Sequence, residues 1–217
     1  MLKMKQAAEH VLMLSAEKGL KDVDVVVERN DSLDVEIRDA KVEKVEQSTS
    51  LGLGVRVLDE GRTGIASTER LSQESIAHAF QNAFENAKLQ DPTQVEMLDA
   101  PVEIPDSSSL ELYNQELDQL NADDLTELGL SMEDAVKASD ERVVSIPYLG
   151  VSRGRSESLL LSSRGVSYSH QSNEVAAWCG PLLQDGDSRK SGMQIYHRRE
   201  WDPQAGKRIG AEAVKKA

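Results

Sequence analysis

What the chain lacks bounds it first. It holds a single cysteine, Cys179, among 217 residues. Neither an intrachain disulfide nor a cysteine-based zinc site can form, and a buried structural thiol is the expected role. No apolar run is long enough to span a bilayer. No N-terminal stretch joins a basic region, an apolar run and a small-residue cleavage site, because Met1 to Lys18 follows an amphipathic helical pattern punctuated by Lys and Glu. The expected compartment is the cytoplasm, with no membrane contact. Cations are in deficit: 25 Lys and Arg stand against 38 Asp and Glu, a net charge of -13. Nucleic-acid binding draws most of its affinity from cations that neutralise phosphates, so this surface repels DNA and no direct nucleic-acid contact is expected. The basic clusters at His197-Arg198-Arg199, Lys207-Arg208 and Lys215-Lys216 lie beside acids or at a helix C-terminal end, where they suit the helix dipole.

Catalytic groups are equally sparse. A zinc peptidase most simply needs two His one helical turn apart, with a nearby Glu to activate the bound water. His10, His78, His170 and His197 lie far apart. The one suggestive spacing is His197 to Glu200, and the two arginines between them favour an exposed strand end or a salt-bridged turn. Ser48, Ser50, Ser162, Ser163 and Ser172 fall in strands and turns, none within a Gly-x-Ser-x-Gly turn and none beside a credible base. Gly52-Leu53-Gly54 lacks the rest of a dinucleotide fingerprint. Asp123-Asp124 and Glu133-Asp134 fit helix N-termini and supply no calcium-ligand ladder. The expectation is that this chain has no catalytic residue, no cofactor-binding residue and no metal ligand.

What is present is strand pattern. Leu33, Val35 and Ile37 alternate with Asp34, Glu36 and Arg38, which buries one face and wets the other. A tight turn is expected at Arg38-Asp39-Ala40-Lys41. Val42 and Val45 are then three apart, so strict alternation fails and a bulge is expected near Glu43 or Lys44. Leu51, Leu53, Val55 and Val57 resume the period. Gly52 and Gly54 occupy their opposite face, and the missing side chains point to close approach of another backbone, a helix or a ligand, with tight helix-on-sheet packing the leading expectation. Asp59-Glu60-Gly61-Arg62 is a second hairpin turn, leading to a strand from Arg62 to Glu69.

Helices bracket these strands. Met4, Ala7, Ala8, Val11, Leu12 and Ser15 follow helical spacing, with Gly19 placed to stop the helix. Ile76, Ala79, Phe80, Ala83, Phe84 and Ala87 form the buried stripe of a helix capped by Ser72, with Glu74 in its first turn. From Gln90 to Leu110, Pro92, Pro101, Pro105 and the run Asp106-Ser107-Ser108-Ser109 read as a linker. Leu130-Ser131-Met132-Glu133 repeats the helix opening seen at Leu71, so a helix is expected from there to about Ser139. One constant offset aligns Ser32 with Ser158, Leu33 with Leu159, Arg38 with Arg164, Gly54 with Gly180 and Asp59 with Asp185. The second half has Leu159-Leu160-Leu161, Val166 to His170, Val175 to Cys179 and Gln194 to Tyr196 as strands, and Pro203 opens a final helix. The fold class is therefore α+β: two similar units, each an antiparallel sheet flanked by helices. The expected domains are 1–90, a linker with a short helix over 91–121, and 122–217.

Three segments together carry a family resemblance: VEIRDAKVEKVEQSTSLGLGVRV, then GRTGIASTERLS opening a helix, then GMQIYHRREWDPQAGKRIGAEAVKKA. They resemble the TldD/PmbA family, whose members are called modulators of DNA gyrase and peptidases, and the later portion looks more like the PmbA (TldE) branch. Where that family usually has Asp-Gly in the first hairpin, this chain has Asp39-Ala40, leaving a type I′ turn there without its usual glycine. The TldD branch carries a His-Glu-x-x-x-His metal motif further along, and nothing here matches it. The final helical pattern runs to Ala217 with no stop signal, so a fragment covering the N-terminal and middle regions is expected. The resemblance implies a non-catalytic part of a PmbA/TldE-like subunit in a cytosolic metallopeptidase complex that processes peptides or unfolded proteins. Zinc would sit in a TldD-like partner. Partners implied are that subunit or self-association, and a peptide substrate, which can add to an exposed sheet edge near Gln47-Ser48-Thr49-Ser50 or Ser169-His170-Gln171-Ser172. The alternative is an acidic stand-alone interaction or regulatory module with no protease role.

Overall fold

The computed structural model describes residues 1–97, 99, 100 and 110–217, with the backbone alone for Leu2. Its elements run α1 (Leu2–Glu17), β1 (Asp22–Arg38), β2 (Lys41–Asp59), β3 (Arg62–Thr68), α2 (Gln73–Lys88), a 3-10 turn (Gln115–Gln119), α3 (Ala122–Ser139), β4 (Val143–Ser162), β5 (Ser167–Asp185), β6 (Ser188–Ser191), β7 (Gln194–Arg198) and α4 (Ala205–Lys216). The strands form one hydrogen-bonded set in the order β3-β2-β1-β4-β5-β6, with β7 paired to β5. The order helix, long hairpin, short strand, helix occurs twice, β7 being the addition in the second half. Asp59 and Asp185, aligned by the offset, are the last residues of β2 and β5.

Two compact units result. The first comprises Met1–Asn30, Thr49–Leu110 and Ser156–Gln171, and the second Asp31–Ser48, Glu111–Arg155 and Ser172–Ala217. Helices α1 and α2 fall in the first unit and α3 and α4 in the second, while β1, β2, β4 and β5 each give residues to both. Strand length is the reason. At about 3.3 Å per residue, the 19 residues of β2 run far beyond what the 16 residues of α2 cover at about 1.5 Å each. Of the expected linker, Pro101, Pro105 and Asp106-Ser107-Ser108-Ser109 lie outside the described residues.

In the first unit Val23, Val25 and Val27 of β1 and Leu53, Val55 and Val57 of β2 are buried with Met4, Ala7, Ala8 and Val11 of α1 and Ile76, Phe80 and Ala83 of α2. Ser72 caps α2 by accepting from Ser75 N–H at 3.2 Å, and Gly19 closes α1 at φ +73°. Gly64 is the position of closest approach, where an added Cβ would strike the Ala83 carbonyl and the Ala87 backbone of α2. Asn86 Nδ2 donates to the Ile65 carbonyl at 2.9 Å beside it.

In the second unit Leu33, Val35 and Ile37 of β1 pack with Leu125, Leu128, Met132 and Val136 of α3 and Ile209 and Ala213 of α4. Helix α3 starts earlier than expected. Asn121 and Asp124 form a reciprocal capping box, and Ser131 lies mid-helix. Ser131 is small because α4 crosses there: a Cβ on Gly206 would lie 2.8 Å from Ser131 Cβ, and one on Gly210 would strike the Met132 carbonyl, while Gly129 faces Ile37 and Val151 of the sheet. The pattern read as a helix opening is a helix crossing. Strand β5 is likewise a single strand in place of two, its polar middle carrying Asn173. That buried amide receives Asn114 N–H at 2.8 Å and donates to the Asn114 carbonyl at 2.7 Å, docking the segment before α3.

The first hairpin adopts positive φ at both turn residues, Asp39 at +51° and Ala40 at +58°. This is the type I′ sign pattern despite the missing glycine. What holds it is Glu133 of α3, a buried carboxylate whose two oxygens accept the Ala40 N–H at 2.9 and 3.1 Å, while Lys137 Nζ sits 2.6 Å away as counter-ion. Beyond the turn, Glu43 pairs with Arg38, and Lys44 pairs with Glu46 and feels Glu36 and Asp34. A two-residue turn pairs odd-numbered residues of β1 with even-numbered ones of β2, yet Val23, Val25 and Val27 are buried together with Leu53, Val55 and Val57, so the hairpin holds one extra residue, as a bulge supplies.

Ala40→Gly is expected to stabilise the protein by about 0.5 to 1 kcal/mol, relief of left-handed backbone strain outweighing the added freedom of the unfolded chain. Glu133→Ala is expected to cost about 1 to 3 kcal/mol by removing the charged acceptor of the Ala40 N–H. Urea unfolding midpoints read both, and an unstable Ala40→Gly protein would show that the turn is not strained.

Candidate functional site

The glycines of β2 fall where the sequence reading put them, opposite Leu53 and Val55, but their role differs. An added Cβ on Gly52 or Gly54 meets nothing within 4 Å. No helix packs there, so the expected tight helix-on-sheet contact is corrected: it occurs at Gly64. The face above Gly52 and Gly54 is an open cleft of about 720 Å³. Its walls come from three strands. β1 supplies Val26, Glu28 and Asn30; the end of β3 and the residue after it supply Ser67 and Glu69; β2 supplies Thr49, Ser50, Leu51 and Leu53 around the glycine floor. The β3 register, Gly54 opposite Ser67, sets the second wall. Next along the sheet, Arg56 is locked to Asp24 by its Nε at 3.0 and 3.2 Å.

The signal for an open face was present in the sequence. Asp24, Glu28 and Asn30 share the glycines' face of β1, and Ser67 lies on that of β3. Val26 and Ile65 are the apolar exceptions on these rows, too few to seat the apolar stripe of a helix. Gly180, aligned with Gly54 by the internal offset, is not its equivalent, because a Cβ there would crowd Met193 Cε at 3.1 Å and Tyr148 at 3.3 Å.

The two polar segments divide between units. Gln47 and Ser48 belong to the second, where Lys41 to Ser48 are all exposed, and β3 pairs with β2 only over Leu53 to Asp59. Thr49 and Ser50 belong to the first and line the cleft. His170 lies beside Tyr168, ring centroids 5.4 Å apart, with its Nδ1 buried and without a hydrogen-bond partner.

The residues weighed as metal ligands are not brought together. His197 Nε2 lies 2.7 Å from Glu174 Oε2 across the β5–β7 pair, and Glu200 follows in a bend. Among the described residues no three His, Cys, Asp or Glu side chains converge on one point. Among the described residues the groups present therefore do not fit a catalytic metal. The basic cluster serves packing: Arg198 and Arg208 both lie over the Tyr196 ring, at 5.2 and 5.5 Å. Cys179 is buried in the second unit's core, and burial pushes its thiol up to about 12. Among the described residues no helix is long and apolar enough to cross a membrane.

With the geometry in hand, comparison with known proteins is informative. Family models described as PmbA/TldA metallopeptidase domain 1 and PmbA/TldA metallopeptidase central domain match residues 23–87 and 115–217. A metalloprotease PmbA homolog of Haemophilus influenzae is 26% identical over 92% of this chain and 44% of its own length. Metalloprotease PmbA of Escherichia coli O157:H7 is 27% identical over 65% of this chain and 31% of its own. The chain therefore spans less than half the length of the curated relatives it matches. Two solved structures share the fold. TldE from Thermococcus kodakarensis has a TM-score of 0.81 at 18% identity, covering 97% of this chain and 47% of that one. A protein from Thermotoga maritima described as a candidate modulator of a DNA gyrase has a TM-score of 0.82 at 16% identity, covering 98% and 47%.

Glycine substitutions separate the open face from the packed one. Gly54→Ala is expected to leave the unfolding midpoint unchanged or slightly raised, whereas Gly64→Ala drives Cβ into helix backbone and is expected to cost about 3 kcal/mol or more. Equal penalties at the two sites would mean the cleft is covered. Cys179 is expected to resist thiol-reactive dye at pH 8 until the protein unfolds, and the sign follows from burial. Because the folded thiol holds its proton above the unfolded value, the associated stability is present below about pH 8.5 and is lost as pH rises past it.

Proposed function

Because the chain belongs to the PmbA/TldD metallopeptidase family, we propose that it is a non-catalytic, peptide-positioning part of a PmbA/TldE-like subunit. In this reading it works in a cytosolic complex that processes peptides or unfolded proteins, and a TldD-like partner holds the zinc. The observation that carries the reading is the open cleft over Gly52 and Gly54, beside a strand β2 that β3 covers only from Leu53 onward. A sheet face stripped of side chains lets a backbone approach closely, and main-chain hydrogen bonds to a strand accept many sequences. Both suit a substrate defined by being extended. The net charge of -13 weighs against a direct role on DNA.

In sedimentation velocity, this chain is expected to co-migrate with a TldD-like subunit and to cleave no peptide alone with added zinc. Absence of association would sink the complex. Cleavage by the isolated chain that a chelator abolishes would overturn the non-catalytic role.

A further inference from the structure

The cleft has a charge pattern that its glycine floor does not require. Most carboxylates nearby in the first unit are matched: Asp24 holds Arg56, Asp22 and Asp99 hold Arg164, and Glu85 holds Lys88. Glu28 and Glu69, on opposite walls, are exposed and make no ion pair or hydrogen bond among the described residues. Among the described residues no Lys or Arg lines the cleft, and Ser50 and Ser67 add hydroxyl oxygens to the same walls. A cavity with negative walls and an uncharged floor focuses a field that favours a cation. The two glycines lie two residues apart on one face of a strand, about 7 Å, and both have open space above them. A linear aliphatic stem ending in a charge fits such a trough, with its methylenes on the glycine backbone and its head between the carboxylates.

We infer that the trough over Gly52 and Gly54 receives a lysine or arginine side chain of an extended peptide, with Glu28 and Glu69 selecting the positive charge. The inference rests on the peptide-positioning reading above and gives it a substrate preference: extended segments bearing an isolated basic residue bind ahead of neutral or acidic ones. Exposed carboxylates contribute modestly, about 0.5 kcal/mol each, so the preference is about fivefold.

The test uses the whole chain and short fluorescein-labelled peptides of alternating Ser and Thr that differ only in a central Lys, Ala or Glu, read by fluorescence anisotropy. The Lys peptide is expected to bind about fivefold more tightly than the Ala peptide, and the Glu peptide least. Glu28→Gln with Glu69→Gln should erase that order while leaving the Ala peptide's affinity unchanged. A control pair, Glu127→Gln with Glu200→Gln, removes the same charge elsewhere and should preserve it. Gly54→Val, which fills the trough, should weaken the Lys peptide most. Equal binding of the three peptides, or equal loss of preference in both charge variants, overturns the inference and leaves the peptide-positioning reading standing. No binding of any peptide removes both.

Discussion

Everything in this fold follows from strands that are longer than any helix available to cover them. Four strands have 17 to 20 residues, and the longest helix has 18. A strand gains about twice the length per residue that a helix does, so one helix pair buries roughly half of such a hairpin. The chain meets this with a second helix pair and a second core. β1 shows the outcome in one line of sequence: Val23, Val25 and Val27 are buried in one core and Leu33, Val35 and Ile37 in the other, all on one face. Each buried aliphatic contributes on the order of 2 kcal/mol. A one-residue slip would expose both sets together, so register is specified twice over along one strand.

That double specification makes the hairpin turn and the bulge matter beyond their own energies. The turn at Asp39-Ala40 fixes one register and the extra residue of the bulge shifts it by one, restoring Leu53, Val55 and Val57 to the buried side. Without the extra residue, the apolar row of β2 would face solvent wherever β1 is correctly buried. Glu133 links this correction to the second core, because the helix that buries Leu33 and Ile37 also supplies the carboxylate that holds the Ala40 N–H. A buried charge is tolerated there because both oxygens find a backbone donor and Lys137 balances it.

Much of this was legible in residues. Alternation placed the strands, Ser72 and the Phe80 stripe placed α2, and the Val42 to Val45 interval placed the bulge. The failures share a cause: they concern what lies on the far side of a residue, which one sequence does not encode locally. Gly64 and Gly52 look alike in a strand pattern, yet α2 presses on one and open space lies over the other. Leu130-Ser131 looks like a helix start because a small polar residue suits an N-cap as well as it suits a close helix crossing. β5 read as two strands because the buried partner of its polar middle is Asn114, distant in sequence. The open cleft was recoverable from the neighbours of the glycines, whose rows are too polar to accept a helix.

Charge adds the last constraint. With 38 acids against 25 cations, the net charge of -13 sets up a self-repulsion that opposes compaction. The cations are spent where the backbone turns or a strand begins: Arg38 beside the first hairpin, Arg142 between Asp140 and Asp185, Arg164 between Asp22 and Asp99. Surplus acids are best tolerated on convex, well-hydrated surface, where water screens them. Glu28 and Glu69 instead face each other across a concave trough, and stability alone gives no reason for that arrangement. A cleft that stays open because its floor has no side chains, and stays negative because its walls have no counter-ions, is suited to a visiting cation.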